Sequence, residues 1–355
     1  MSHAKLAVVT LSLFVAAGFD VQAQPSASPQ DSFTQGFQIG VADVFHVGGE
    51  GGWDYLTVGP EGKLLYVPRT THTMVVDAAS GKTVADIPGQ RRNHGVAIVP
   101  SVGRGFISDG QDASVVLFDL KTNKVLGKVK AADDADGIIY DPNCGKVLVS
   151  CGDANVLAVI SPDVDPQTGK ADAVVALGGK PEFLAADQDK IYVNLVNRDQ
   201  VAVIDSKSMK VIHRWPTAPG GSPVGMSIDP VHRRLFVGCR KPQKLIVMSA
   251  DDGKVLADLP IGAGVDATQF DGDIFASCRD GTLAVARETS PGKFAIVQTL
   301  ATKPGAKTMG LDSRGEKGHT LYLPTAELQG SFSAKSRPVA KPGSFMILVV
   351  RAAEK

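Results

Sequence analysis

The chain has 355 residues, with 37 Lys or Arg set against 37 Asp or Glu, so its formal charge is zero. That balance lacks the basic excess with which nucleic-acid binders neutralise phosphates, and two Trp are too few for base-stacking platforms, so no nucleic-acid partner is expected. The apolar fraction of 43% is ordinary for a globular chain, while 38 Gly point to many tight turns.

The first residues read as a targeting segment. Lys5 is a positive flank, Leu6 to Gly18 form an apolar run, and Val21-Gln22-Ala23 offers small residues for cleavage. The run is shorter than the roughly 20 residues that span a bilayer, so residues 1–23 are expected to be a signal peptide and no membrane insertion is expected. Residues 24–36, rich in Ser, Pro and Gln, read as a disordered leader. The mature chain is expected to be periplasmic or secreted, and monomeric.

From residue 37 a unit of about 42 residues recurs. Its clearest copy runs Lys63-Leu-Leu-Tyr-Val-Pro-Arg69, Met74-Val-Val-Asp77, then Ser80-Gly81-Lys82-Thr-Val. It returns as Arg104-Gly-Phe-Ile-Ser-Asp109 with Val115-Val-Leu-Phe-Asp119, as Ile191-Tyr-Val-Asn194 with Val201-Ala-Val-Ile-Asp205, and as Leu235-Phe-Val-Gly238 with Leu245-Ile-Val-Met248. Short β-branched runs broken by Gly, Asp and Asn at a fixed period mark propeller blades. Inner strands are expected to begin near Tyr55, Gly95, Gly137, Phe183, Gly225, Ala267 and Met309, which makes seven blades. The longer third unit holds an extended hairpin at Pro162-Asp-Val-Asp-Pro-Gln-Thr-Gly169.

The last unit has sequence for three strands, ending at Phe345-Met-Ile-Leu-Val-Val350. The stretch Gly36 to His46 can supply the fourth and close the ring, which removes exposed edges. An all-β, seven-bladed β-propeller over residues 37–351, with a tail at 352–355, is therefore expected. The repeats Tyr66-Val-Pro, Tyr192-Val-Asn and Phe236-Val-Gly, each followed by an alternating Val-rich strand, resemble those of the YVTN-family (YncE-like) propellers. The resemblance covers essentially the whole mature chain. It implies the fold, and it implies a range of activities, since related propellers include binding proteins, lactonases and redox enzymes.

In a propeller the residues that precede the inner strands gather round the channel mouth. Here they are Asp54, His94, Asp136, Glu182, Val224, Asp266 and Thr308. Oxygen-rich sets suit Ca²⁺ or Mn²⁺, and a histidine raises the case for Zn²⁺ or Fe²⁺. His94, Asp136 and Glu182, from consecutive blades, are the expected metal ligands, and Asp136 and Glu182 are the candidate catalytic carboxylates. Asp54, Arg69, Arg92, Asp109, Lys180, Arg240, Asp266, Arg279 and Lys307 fall on the same face and suit a small anionic molecule, since arginine forks recognise carboxylates. The same residues can equally serve one another as a structural ion-pair ring.

Two further features bear on function. Residues Gln329 to Gly343 replace a short loop and carry Lys335, Arg337 and Lys341, long enough for a lid or a docking site. Cys151, Cys239 and Cys278 occupy equivalent strand ends and Cys144 a turn, which favours free thiols over a disulfide. Phosphate-loop, nucleophile-elbow and haem-attachment motifs are missing. The sequence therefore points to an exported binding propeller for a small anion or an exported protein partner. A metal-dependent hydrolase or lactonase is the alternative, and a non-catalytic scaffold a second one.

Overall fold

The computed structural model describes Met1 and residues 38–314, 319–330 and 338–353. Apart from Met1, the expected signal peptide and leader lie outside the described residues, as do Lys335 and Arg337. Phe37–Lys355 form one compact unit. It contains seven four-stranded antiparallel sheets, one per blade, and no α-helix among the described residues. No helix there is long and apolar enough to cross a membrane.

Six blades use four consecutive strands each, and the seventh borrows from both ends of the chain. Its strands run Gly310–Asp312, Thr320–Thr325, Met346–Ala352 and then Ile39–His46 outermost. Register across that seam pairs Val44 with Leu348 and His46 with Met346. The expected ring closure is thus present, with the outer strand opening at Ile39.

Burial follows position in the blade. Middle strands are covered on both faces by neighbouring blades, so Lys190–Leu195 and Gln200–Asp205 are buried almost throughout. Outer strands such as Lys210–Pro216 keep most side chains in solvent. The cores lie between blades: Tyr192, Val203 and Trp215 of the fourth blade pack with Met226, Leu235 and Met248 of the fifth. The hairpins that end several blades share one device. Asp77 accepts from the Ser80 N–H at 2.8 Å and its hydroxyl at 2.6 Å, and the next residue, Gly81, turns at φ 70°. Asp119 with Thr122 and Asp205 with Ser208 repeat it.

The inner strands carry a β-bulge where the mouth residues sit. Register slips between Asn93 and Val96, Ala135 and Ile138, Pro181 and Leu184, Pro223 and Gly225, and Val265 and Ala267. A bulge leaves a residue out of the ladder and re-aims its side chain, which is how five successive blades present a mouth residue. The position that follows is small in four blades, at Gly95, Gly137, Gly225 and Ala267, and large in three, at Tyr55, Phe183 and Met309. Gly95, Gly137 and Gly225 let the next blade approach, since a Cβ on Gly225 would lie 2.8 Å from the Ala267 backbone. Tyr55 and Phe183 fill the space left at the axis, their rings 4.6 Å apart.

Groups freed by the bulges find partners across blades. Ser108 Oγ donates to the Asp136 carbonyl at 2.5 Å and accepts the Gly95 N–H at 3.0 Å. Ser277 and Asn194, at the same strand position, donate to Ala306 and to Val224 and Gly225. All four cysteines are free, and burial pushes the thiols of Cys151, Cys239 and Cys278 up to about 12. Ser108→Ala leaves a buried N–H and a carbonyl unpaired, so it should cost about 1–3 kcal/mol. Urea unfolding should show a lower midpoint with an unchanged slope.

Candidate functional site at the channel mouth

Two arcs of charge surround the mouth. On blades five to seven and one, Lys307 Nζ lies 2.7 Å from both Asp54 and Asp266. Asp266 also takes Arg240, which in addition donates Nε to the Val265 carbonyl, and Arg279 at 3.2 Å. Burial opposes charge on all of these. Lys307 and Arg240 nonetheless outweigh it and hold the Asp266 carboxyl below its usual range. Asp54 likewise falls to about 2, since Lys307 and His94 overcome burial.

The second arc carries carboxylates with less support. His94 Nδ1 lies 2.8 Å from Asp54 and 3.6 Å from Asp136. Burial disfavours the imidazolium, but Asp136 and Asp54 together raise His94 to about 9, so it is protonated at neutral pH. Burial, with Asp54 and Asp134 adding to it, raises Asp136 to about 6 despite His94. Glu182 rises to about 7, through burial and then Asp136, with Arg240 acting against them. Below both arcs, burial and the surrounding carboxylates keep the Tyr55 hydroxyl well above its ordinary range.

Among the described residues, the donor atoms close enough to share one cation belong to Asp54, His94 and Asp136, within 4.8 Å of one another. Glu182, expected beside His94 and Asp136, is not among them, and Asp54 is. A metal would need a bare ring nitrogen of His94, whose Nδ1 faces Asp54 and whose Nε2 is buried without a hydrogen-bond partner, whereas the imidazolium carries a proton on both. Displacing a proton from a group of pKa about 9 at pH 7 weakens metal binding about a hundredfold. The trio fits a dication only against that competition, because imidazolium and Lys307 already supply the countercharge.

The remaining expected residues divide by partner. Arg92 and Lys180 both converge on Asp134, and Lys180 also reaches Asp153 at 2.8 Å. Asp109, fully buried, accepts the backbone N–H groups of Arg91 and Arg92 and so shapes the loop into His94. Arg69, 1% exposed, donates to the Gly48, Gly51 and Gly52 carbonyls at 2.8–3.0 Å and lies 3.7 Å over the Phe345 ring. Gly51 turns at φ 93°, and a Cβ there would lie 2.2 Å from the Arg69 carbonyl oxygen, so this loop wraps the arginine only as glycine.

One element was not legible in the residue list. A cleft of about 620 Å³ opens between the loop Gly49–Trp53 and the seventh blade. Trp53, Leu328 and Phe345 supply apolar wall, and Arg69, Arg279, Lys307 and Lys341 supply charge. The described end of the insertion, residues 338–342, forms part of it, where Leu328–Gln329 pairs with Val339–Ala340 and Lys341 binds Glu327 at 2.9 Å. Trp53 was countable in the sequence only as one of two tryptophans, and nothing local marks it as a wall.

No family model matches the chain, and no curated protein matches it. Among solved structures it is similar to Kuenenia stuttgartiensis hydrazine synthase, with a TM-score of 0.66 and 14% identity over 77% of this chain and 92% of that one. That likeness shows the fold, a β-propeller, which is compatible with a binding or scaffold role.

Linkage gives the pH dependence. Asp136 and Glu182 titrate higher folded than unfolded, so their stabilising contribution is full below about pH 4 and is lost as pH rises through 6 and 7. Glu182→Gln removes one of these buried charges. It should raise stability at pH 8 by on the order of 2 kcal/mol and change little at pH 4.5, as read from denaturation at the two pH values.

Proposed function

We propose that the chain is an exported, YVTN-type binding propeller that holds a small anionic ligand on its mouth face. Export rests on Lys5, the apolar run Leu6 to Gly18 and the small residues up to Ala23, and the family on the repeats. The observation that carries the ligand reading is the cationic edge of the cleft: Arg279, Lys307 and Lys341 line it beside Glu50, with Arg69 buried behind them, and each of the three is held from one side by Asp266, Asp54 or Glu327. Arg279 lines it with a buried Nε that has no hydrogen-bond partner. Arg240 and Lys307 remain for Asp266 if Arg279 turns to a ligand.

A hydrolase on the same face is the second reading, and the raised carboxylates favour it. Asp136 near 6 and Glu182 near 7 can exchange protons at neutral pH, as a general acid or base must. A metal on Asp54, His94 and Asp136 would supply Lewis acidity to that chemistry.

Calorimetric titration with acetate, benzoate, octanoate and phosphate, beside their neutral amides where these exist, tests the ligand reading. Carboxylates should bind and amides should not, and Arg279→Gln should weaken binding at least tenfold. Equal binding of acids and amides, or binding by no anion, removes the reading and leaves the scaffold. Elemental analysis of protein prepared without chelator tests the second: less than a tenth of an equivalent of Ca, Mn, Zn or Fe is expected at pH 7. A full equivalent that Asp136→Asn abolishes would move the assignment to the metal-dependent hydrolase.

A further inference from the structure

Resting on that anion reading, we infer that the ligand is an amphipathic carboxylate, with its head at Lys307 and Arg279 and its apolar body against Trp53, Leu328 and Val339. The cleft volume of about 620 Å³ is in the range of small-molecule pockets and far exceeds what acetate or phosphate fills. The wall is built for apolar contact. Trp53 and Leu328 are half-buried and Val339 stands 70% exposed at the rim, while the buried Phe345 ring, 6.0 Å from the indole, backs Trp53 from within. Exposed apolar surface gathered in a concave site is a binding feature, whereas single exposed aliphatics elsewhere are ordinary.

The wall is also held in place. Trp53 Nε1 donates to the Gly305 carbonyl at 2.9 Å, so the indole polar atom is satisfied by the protein and its ring face remains for contact. Gly305 has φ 89°, and a Cβ there would lie 3.2 Å from Trp53 and 3.3 Å from Leu328. A side chain at that position would crowd the space between these two walls.

Charge is placed next to this wall. Gly305 is two residues from Lys307, so the backbone that anchors the indole also delivers the ammonium. Lys307 has three N–H donors and directs two at Asp54 and Asp266, which leaves one. Arg69, buried beneath Phe345, has carbonyl, thioether and ring partners and no carboxylate ion pair among the described residues, so its charge acts on the cleft from behind the wall. An apolar body joined to one carboxylate matches both halves. A phosphate or a compact polyacid would leave Trp53, Leu328 and Val339 without contact.

The experiment uses the chain with Trp215→Phe, which leaves Trp53 as the one remaining tryptophan of two, excited at a wavelength that the five tyrosines do not absorb. Acetate, hexanoate, octanoate and decanoate are titrated beside octanamide and octanol. Affinity should rise about fourfold per added methylene, with Trp53 emission changing on binding. Octanamide and octanol should bind at least tenfold more weakly than octanoate. Leu328→Gln should weaken octanoate several-fold and leave acetate unchanged. If Trp215→Phe does not fold, the same series is read on the unsubstituted chain by calorimetry. Equal affinity for acetate and octanoate overturns the inference and leaves the anion reading standing. Octanol binding as tightly as octanoate overturns the anion reading itself, and no binding by any acid overturns both.

Discussion

Pairing of the first described strand with the last is the constraint on which the rest of the molecule depends. Ile39–His46 hydrogen-bonds Met346–Ala352, and without it the seventh blade would end in an open edge of unpaired backbone. The mouth needs every blade in place, because Lys307 of the seventh reaches Asp54 of the first and Asp266 of the sixth. Thr308 extends the link by donating to the Asp54 carbonyl at 2.8 Å. The ion-pair ring and the β-sheet closure therefore brace one junction in two ways.

The mouth is electrostatically lopsided. Cations crowd Asp266 and hold its carboxyl low, while Glu182, across the arc, makes no hydrogen bond or ion pair among the described residues. Burial acts on both carboxylates in the same direction. What differs is the supply of positive charge: Arg240, Arg279 and Lys307 contact Asp266, whereas Glu182 feels Arg240 and Lys180 only at a distance. The ring thus keeps one side as fixed ions and the other near its titration point.

The period made seven blades and the closing strand legible, because repeated apolar strands at equal spacing have few other ways to bury themselves. The mouth positions were legible too, since Asp54, His94, Asp136, Glu182 and Asp266 occupy one slot of the repeat. Their partnerships were not. A bulge within the inner strand of blades two to six re-aims that slot, and side-chain length then decides who meets whom, so His94 turns to Asp54 rather than toward Glu182. Arg69 and Asp109 were readable as charges near the mouth, but a sequence does not distinguish a carbonyl partner from a ligand. The cations of the cleft, Arg69, Arg279, Lys307 and Lys341, were readable, but its apolar wall was not, because Trp53 and Phe345 are separated by nearly the whole propeller in sequence and meet only at the seam.

The seam location of the cleft has a mechanical meaning. Its walls come from the entry loop of the first blade and from the closing blade, the two parts that must separate if the ring is to open. A molecule seated between them would act as a clasp, resisting the opening step rather than adding cohesion within any blade. Occupancy would then show most in how slowly the closed ring is lost to heat or protease, a lifetime effect set by the barrier to opening. The place where the chain is joined to itself and the place where it would hold a guest are the same.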